Sequence, residues 1–350
     1  MDEQSVRSLD NLVNEDYHSN GPGVAILIVI NDQIVYQRCL GLANLDKEEQ
    51  ITPETNFRLA SLTKQFTAYG IMLLEQQNRL SKNDTLGRFF SMEFQRKCPY
   101  LSREVKVQHL LEHSSGICDY ETFDSNDHSQ WSDFDVLNIL TDETYFTPGT
   151  HYRYSNTGYI LLGLIIETVS EQSLNQYFDE NIFQPFQTNA SILYDFDRTV
   201  ITNRALGYIQ QRNKEKYDLR DQSTTSATRG DGGIYMSLTD YLQWYYHYPI
   251  LSAKPFRIDE APLETYYYDL GWFLTDSNGK IHLHTGNSCG FTHQVFRIDD
   301  AERKVLVLYL TNLGENNQRI EKFNRLIVEK LPQLNPNNTN LLWDMVGLTR

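Results

Sequence analysis

The chain has 350 residues, 40% of them hydrophobic, and a formal net charge of −15. That length and apolar share can bury a large core, as one big or two intertwined domains. The acidic excess, with no offsetting Lys/Arg cluster, excludes nucleic acid and anionic membrane surfaces as partners, and no window of about 18 uninterrupted apolar residues is present to span a bilayer.

Residues 1–19 pattern as an amphipathic helix. The chain opens Met1-Asp-Glu, acidic where an export signal is basic, so the sequence as it stands is expected to be cytoplasmic, and periplasmic or secreted if a leader has been removed. Val24 to Ile30 reads as a buried strand and pairs with Gln33 to Gly41 around the turn Asn31-Asp32. From Ser61 to Leu74 no proline interrupts a run that is apolar on more than one side, as in a core helix. Pro148 to Gly158 is a loop by its proline and glycines, and an apolar helix comes next, from Tyr159 to Val169. Ser223 to Thr228 is a short polar loop, and the middle of the chain is helical and loop-rich. Strand patterns return at Gly271 to Asp276, Lys280 to His284, Phe291 to Ile298 and Lys304 to Thr311, before a last helix over Gln318 to Leu331. These elements predict an α+β sandwich, an antiparallel sheet flanked by terminal helices. Residues 1–60 and 265–350 form the sheet domain and residues 61–264 a mostly helical inserted lobe. The site is expected at the interface.

Three short elements carry chemistry. In Ser61-Leu-Thr-Lys64, a helix starting at Ser61 puts the Lys64 amine one turn on, within reach of a hydroxyl that needs a base to become nucleophilic. The orphan N–H groups of that first turn can face a developing oxyanion. A second match, Ser277-Asn-Gly-Lys280, reads instead as a solvated hairpin turn. Tyr154-Ser-Asn156 adds a second proton carrier and an amide that both donates and accepts. A lysine ammonium nearby favours the Tyr154 phenolate, which makes it a base near neutral pH. The structural alternative is a packed tyrosine ring with Asn156 as helix cap. His284-Thr-Gly286 ends an alternating segment. Glycine on an edge strand there lets a substrate backbone lie alongside, with the Asn287 N–H completing the oxyanion hole. Tyr120, Tyr266-Tyr-Tyr268 and Trp272 line an aromatic pocket or pack the core.

Two other motifs compete. Gly286-Asn-Ser288-Cys-Gly290 fits a nucleophile-elbow pattern, but the segment from Phe291 onward is strand-like and the acid and histidine order is wrong. His109-Leu-Leu-Glu112-His113 offers two zinc ligands and a general base, with Glu167 as a third ligand, although Ser114-Ser-Gly116 ends the helix beside His113. On the bland reading these histidines buttress a loop. Cys39, Cys98, Cys118 and Cys289 are spaced irregularly and read as free thiols, with a Cys98–Cys118 bridge open if the chain is exported. Cys289 lies close to the site as a bystander.

Taken together, Ser61-Leu-Thr-Lys64, Tyr154-Ser-Asn156 and His284-Thr-Gly286 resemble the motif set of the penicillin-binding-protein and class C β-lactamase superfamily, which includes D-Ala-D-Ala carboxypeptidases, D-aminopeptidases and esterases. Phe57-Arg-Leu-Ala-Ser61 through Ala68, Leu110 to Gly116, Gly230-Asp-Gly-Gly233 and Leu270-Gly-Trp272 extend the resemblance over most of the chain. It implies a serine hydrolase that forms an acyl-enzyme on D-alanyl peptides, β-lactams or small esters, without a cofactor. Ser61 is then the nucleophile, Lys64 and Tyr154 the proton-transfer pair, Asn156 a contact to the substrate amide, and His284, Thr285 and Gly286 the strand motif. A zinc peptidase through His109, Glu112 and His113, or a penicillin sensor that never turns over, are the alternatives. The β-lactamases of the superfamily usually carry lysine where this chain has His284, and histidine is cationic only below about pH 6.5. That departure resembles the carboxypeptidase and esterase branches. The sequence leaves oligomeric state open.

Overall fold

The computed structural model describes residues 1–122, 130–196, 200–212, 216–249, 255–259, 266–275, 281–299 and 303–331. The hairpin expected at Ser277 to Lys280 lies outside these residues. Eight antiparallel strands form the main sheet: β1 Val24–Ile30, β2 Gln33–Leu40, β3 Phe256–Arg257, β4 Tyr267–Asp269, β5 Trp272–Leu274, β6 Ile281–Ser288, β7 Phe291–Asp299 and β8 Lys304–Thr311. Their order is β3-β4-β5-β6-β7-β8-β1-β2. The first hairpin therefore inserts beside the last strand, with Val24 opposite Thr311 and Ile30 opposite Val305. The unbroken apolar run of β1 reflects cover on both faces.

One face is covered by the terminal helices Glu3–Asp16 and Asn317–Lys330. Asp2 caps the first of these by accepting from the Ser5 N–H at 2.8 Å, and the helix turns Leu9 and Val13 inward. Tyr17, just beyond it, bonds Tyr309 of β8 hydroxyl to hydroxyl at 2.6 Å. The other face receives the helix Leu238–His247, whose Trp244 stacks on Phe66 at 4.0 Å between ring centroids.

Within the expected helical lobe, the helices Lys64–Gln76 and Asn156–Ser170 pack together. Both are apolar on nearly every side because both are buried. The lobe also holds strands that the sequence pattern did not show. Ile234–Met236 is the central strand of a three-stranded sheet with Ile192–Leu193 and with Phe57–Arg58, which precedes residue 61 and yet pairs here rather than in the large sheet, and Tyr208–Gln210 pairs with Tyr217–Leu219. Segments of two or three residues are too short to display alternation. Strand β3 precedes residue 265 and already belongs to the large sheet. All four cysteines are free thiols.

Arg229 ties the lobe together. Its Nε donates to Asp133 at 2.8 Å and its Nη1 to Glu167 at 2.8 Å, and Asp133 is fully buried. Burial pushes the Asp133 carboxyl up to about 6 against the pull of Arg229. Removing the guanidinium leaves a buried carboxylate unpaired, so Arg229→Ala is expected to cost about 3–5 kcal/mol in a urea unfolding titration. A midpoint unchanged from the native protein contradicts that role.

Candidate active site at the Ser61 turn

Ser61 lies in a tight turn, Ala60–Thr63, between the strand Phe57–Arg58 and the helix Lys64–Gln76. The expected α-helical start at Ser61 is thus a 3₁₀ turn, which still stacks positions three apart. Ala60 holds φ at 49°, a left-handed conformation that costs a residue with a Cβ about 1–2 kcal/mol. Lys64 is fully buried. Its ammonium donates to Ser61 Oγ at 3.0 Å, to Asn156 Oδ1 at 2.7 Å and to the Asp231 carbonyl at 2.9 Å. An ammonium has three N–H donors, and all three are used.

Asn156 opens the helix Asn156–Ser170, and the cap is its neighbour Ser155, whose Oγ accepts from the Gly158 N–H at 3.1 Å. Asp119 receives the Asn156 N–H at 2.7 Å. The Asn156 amide is oriented from both ends, since its Nδ2 donates to Glu121 Oε1 at 3.1 Å. The Glu121 carboxyl is pushed up to about 7 by lost hydration and by Asp119 and Asp231 nearby. Its side chain is exposed, and solvent there weakens the carboxylate repulsion as well as the desolvation.

Tyr154 stands behind this point, with Lys64 Nζ 4.9 Å from its ring centroid. Its phenol departs from the expectation. Burial raises it above the ordinary value, and the opposing pulls of Lys64 and Ser61 do not overcome that, so the resting species is the neutral hydroxyl rather than the phenolate. His113 supports the ring from behind at 4.2 Å between centroids, and its Nδ1 accepts from the Ser155 N–H at 3.1 Å.

The His284 expectation also changes. Its Nδ1 donates to the Thr285 carbonyl at 2.7 Å and its Nε2 accepts from the Tyr268 hydroxyl at 3.2 Å, an assignment drawn from the bonding partners. Burial first, then the Lys64 charge, depress it to about 3, so it is neutral throughout the physiological range. It faces the core, as Thr285 does. Strand β6 is not a free edge either. β5 pairs with it at His282 and Leu283, and beyond that the Ala60–Thr63 turn lies against it. A Cβ on Gly286 would come 2.4 Å from the Leu59 carbonyl, so this glycine permits the close approach of the nucleophile's own segment.

Ser61, Asn156, Asn287 and Tyr120 share one cavity of about 190 Å³ with Arg58, Glu121, Thr225, Thr228, Asp231 and Cys289. Larger cavities of about 720 and 440 Å³ include none of the residues expected in the site. Tyr266, Tyr268 and Trp272 are core residues, which leaves Tyr120 alone of the aromatic set at the cavity. Arg58, Asp119, Glu121 and Asp231 were not singled out from the sequence. Arg58 and Asp231 lie inside the quoted segments around Ser61 and Gly230, and Asp119 and Glu121 flank Tyr120, but no spacing rule marks them.

The rival motifs do not assemble. Ser288 ends a strand and another begins at Phe291, so there is no elbow helix. His109 Nδ1 accepts from the Lys106 N–H at 3.2 Å, His113 is packed among tyrosines, and Glu167 is taken by Arg229. Among the described residues no group of three His, Cys, Asp or Glu side chains could hold a metal ion. Among the same residues no helix is long and apolar enough to cross a membrane.

The chain belongs to the Beta-lactamase family, whose profile matches residues 9–330. It is 30% identical to penicillin-binding protein 4* of Bacillus subtilis strain 168 over 342 residues, covering 89% of this chain and 72% of that protein. Its fold is similar to that of the octameric penicillin-binding protein homologue from Pyrococcus abyssi, with TM-score 0.74, 26% identity and coverage of 95% and 80% of the two chains. It is also similar to that of the penicillin-binding protein from Bacillus halodurans, with TM-score 0.74, 23% identity and coverage of 91% and 98%.

Burial holds His282 and His284 at about 3 and His293 at about 4. Unfolded, each takes up a proton near pH 6.5, so each contributes stability that is complete above pH 6.5 and is lost as pH falls toward its folded value. Asp269, raised by burial to about 8, works in the opposite sense, so the test is made site by site. Imidazole NMR resonances of His282, His284 and His293 should stay flat from pH 8 to 5; a titration centred near 6.5 contradicts the geometry.

Proposed function

We propose that Ser61 is the nucleophile of an acyl-enzyme mechanism on short esters and amides. The observation that carries this reading is the set of hydrogen bonds fixing the Lys64 amine against Ser61 Oγ. In the reactive form Tyr154 is the neutral phenol and Lys64 presents a free amine to Ser61. The Lys64 amine then takes the Ser61 proton as Oγ attacks the carbonyl carbon. The peptide N–H groups of Ser61 and Asn287 face the developing oxyanion. The C–O or C–N bond breaks, and the leaving group takes a proton from Tyr154, which Lys64 resupplies. Water then attacks the Ser61 ester with its proton passing back to the pair, releasing the acid and restoring the hydroxyl.

Substrate size and charge support short, non-anionic groups over penicillins. The cavity at Ser61, of about 190 Å³, is lined by polar side chains including Arg58, Glu121, Asn156, Thr228 and Asp231, which suits a small polar acyl group. Neutral His284 supplies no charge for a β-lactam carboxylate. The name of the B. subtilis relative supports formation of a penicillin acyl-enzyme here as well, with turnover slower than for esters.

Ser61→Ala is expected to lower kcat/KM for p-nitrophenyl acetate by about a thousandfold or more while circular dichroism is unchanged. EDTA should not reduce native kcat/KM. Retained activity in Ser61→Ala, or loss on chelation that zinc restores, refutes the mechanism. His284→Lys places a charge in a fully buried position, so it should destabilise the protein and leave cephalosporin hydrolysis no faster. A selective gain on the cephalosporin would mean that this position does reach substrate.

A further inference from the structure

The cavity beside Ser61 contains two buried side chains of opposite charge. Arg58 is 2% exposed and Asp231 is 6% exposed, and both line the cavity. Arg58 Nη2 donates to the Ser226 carbonyl at 2.8 Å, and the guanidinium lies 5.7 and 5.9 Å from the Tyr194 and Tyr235 ring centroids. Its Nε and Nη1 meet no hydrogen-bond partner among the described residues, nor does Asp231 Oδ1. A buried guanidinium and a buried carboxylate, each with unused hydrogen-bonding capacity, cost free energy that pairing would relieve. Elsewhere the chain makes such pairs, as Arg229 does with Asp133 and Glu167 and as Arg204 does with Asp221. Arg58 and Asp231 share the cavity and act on each other electrostatically, but they make no direct ion pair with each other that would fill the open Nε, Nη1 and Oδ1 positions. A second carboxyl, Glu121, enters the same cavity from the Asn156 side.

A ligand that satisfies both ends must carry both charges. Lys64 is not available for this, because its three donors are taken by Ser61, Asn156 and the Asp231 carbonyl. An ammonium fits Asp231 Oδ1 with Glu121, and a carboxylate fits the open edge of the Arg58 fork. An α-aminoacyl group cannot supply the carboxylate, since that carboxyl is the one being transferred. An amino acid joined through its side-chain carboxyl keeps the ammonium and the α-carboxylate both free.

Resting on the proposed acyl-enzyme at Ser61, we infer that the acyl pocket recognises a side-chain-linked amino acid, such as a γ-glutamyl or β-aspartyl group, through Asp231 and Glu121 at its ammonium and Arg58 at its carboxylate. The scissile bond is the side-chain amide or ester. Its acyl carbon bonds to Ser61 Oγ, the amine or alcohol leaves with one proton, and water releases the free amino acid.

The test measures kcat/KM for γ-D- and γ-L-glutamyl-p-nitroanilide against glutaryl-p-nitroanilide, which lacks the ammonium, and D-alanyl-p-nitroanilide, which lacks the carboxylate. One γ-glutamyl enantiomer should exceed both by about tenfold or more. Asp231→Asn should shrink the γ-glutamyl to glutaryl ratio, and Arg58→Gln the γ-glutamyl to D-alanyl ratio. Ratios measured within one variant cancel any loss of folded protein. If p-nitrophenyl acetate is cleaved but the γ-glutamyl compounds have no advantage, or if the advantage survives both substitutions, this inference is overturned and the Ser61 mechanism stands. If no ester is cleaved, both fall.

Discussion

Everything around the site depends on one buried ammonium. Lys64 lies in the core, where an unsolvated charge is costly, and it is tolerated because three acceptors converge on it, the neighbouring Ser61 Oγ and, from two distant segments, Asn156 Oδ1 and the Asp231 carbonyl. That demand fixes how the turn after Phe57–Arg58, the start of the helix Asn156–Ser170 and the loop before Ile234–Met236 sit relative to one another. Asn156 is held in turn by Asp119 and Glu121, and Gly286 lets β6 approach the Leu59 carbonyl closely. Holding the lysine and holding the nucleophile are the same structural task.

The imidazoles near the site serve the opposite purpose. His113 and His284 are buried and neutral, and both pack against Tyr154 and Tyr268. A second cation beside Lys64 would be repelled by it, and the depressed basicity of both rings registers that repulsion after burial itself. The positive charge that faces the cavity comes instead from Arg58, which sits on the nucleophile's own segment.

Much of this was legible in the sequence where a rule of spacing or a long pattern existed. The runs Val24 to Ile30 and Lys304 to Thr311 are long enough to declare strands, and their pairing follows from a single sheet. Ser61 and Lys64 are three positions apart, so local geometry alone brings them together. Asn156 was legible as a polar group at a helix start. The rest depends on cover supplied from elsewhere. Strand alternation puts His282 and His284 on one face, but only the tertiary structure buries that face. The same holds for Tyr154, where a charge-proximity argument missed the larger desolvation effect. Arg58, Glu121 and Asp231 meet from three segments and carry no spacing signature.

The central claim is that Lys64 makes Ser61 the reactive serine, and intact-mass spectrometry with peptide mapping after exposure to a fluorophosphonate tests it most directly. A single adduct located on Ser61, formed by the native protein and lost or strongly slowed in Lys64→Met, is the result predicted. An adduct on Ser288 or another serine, or labelling of Ser61 at an unchanged rate without Lys64, contradicts the account.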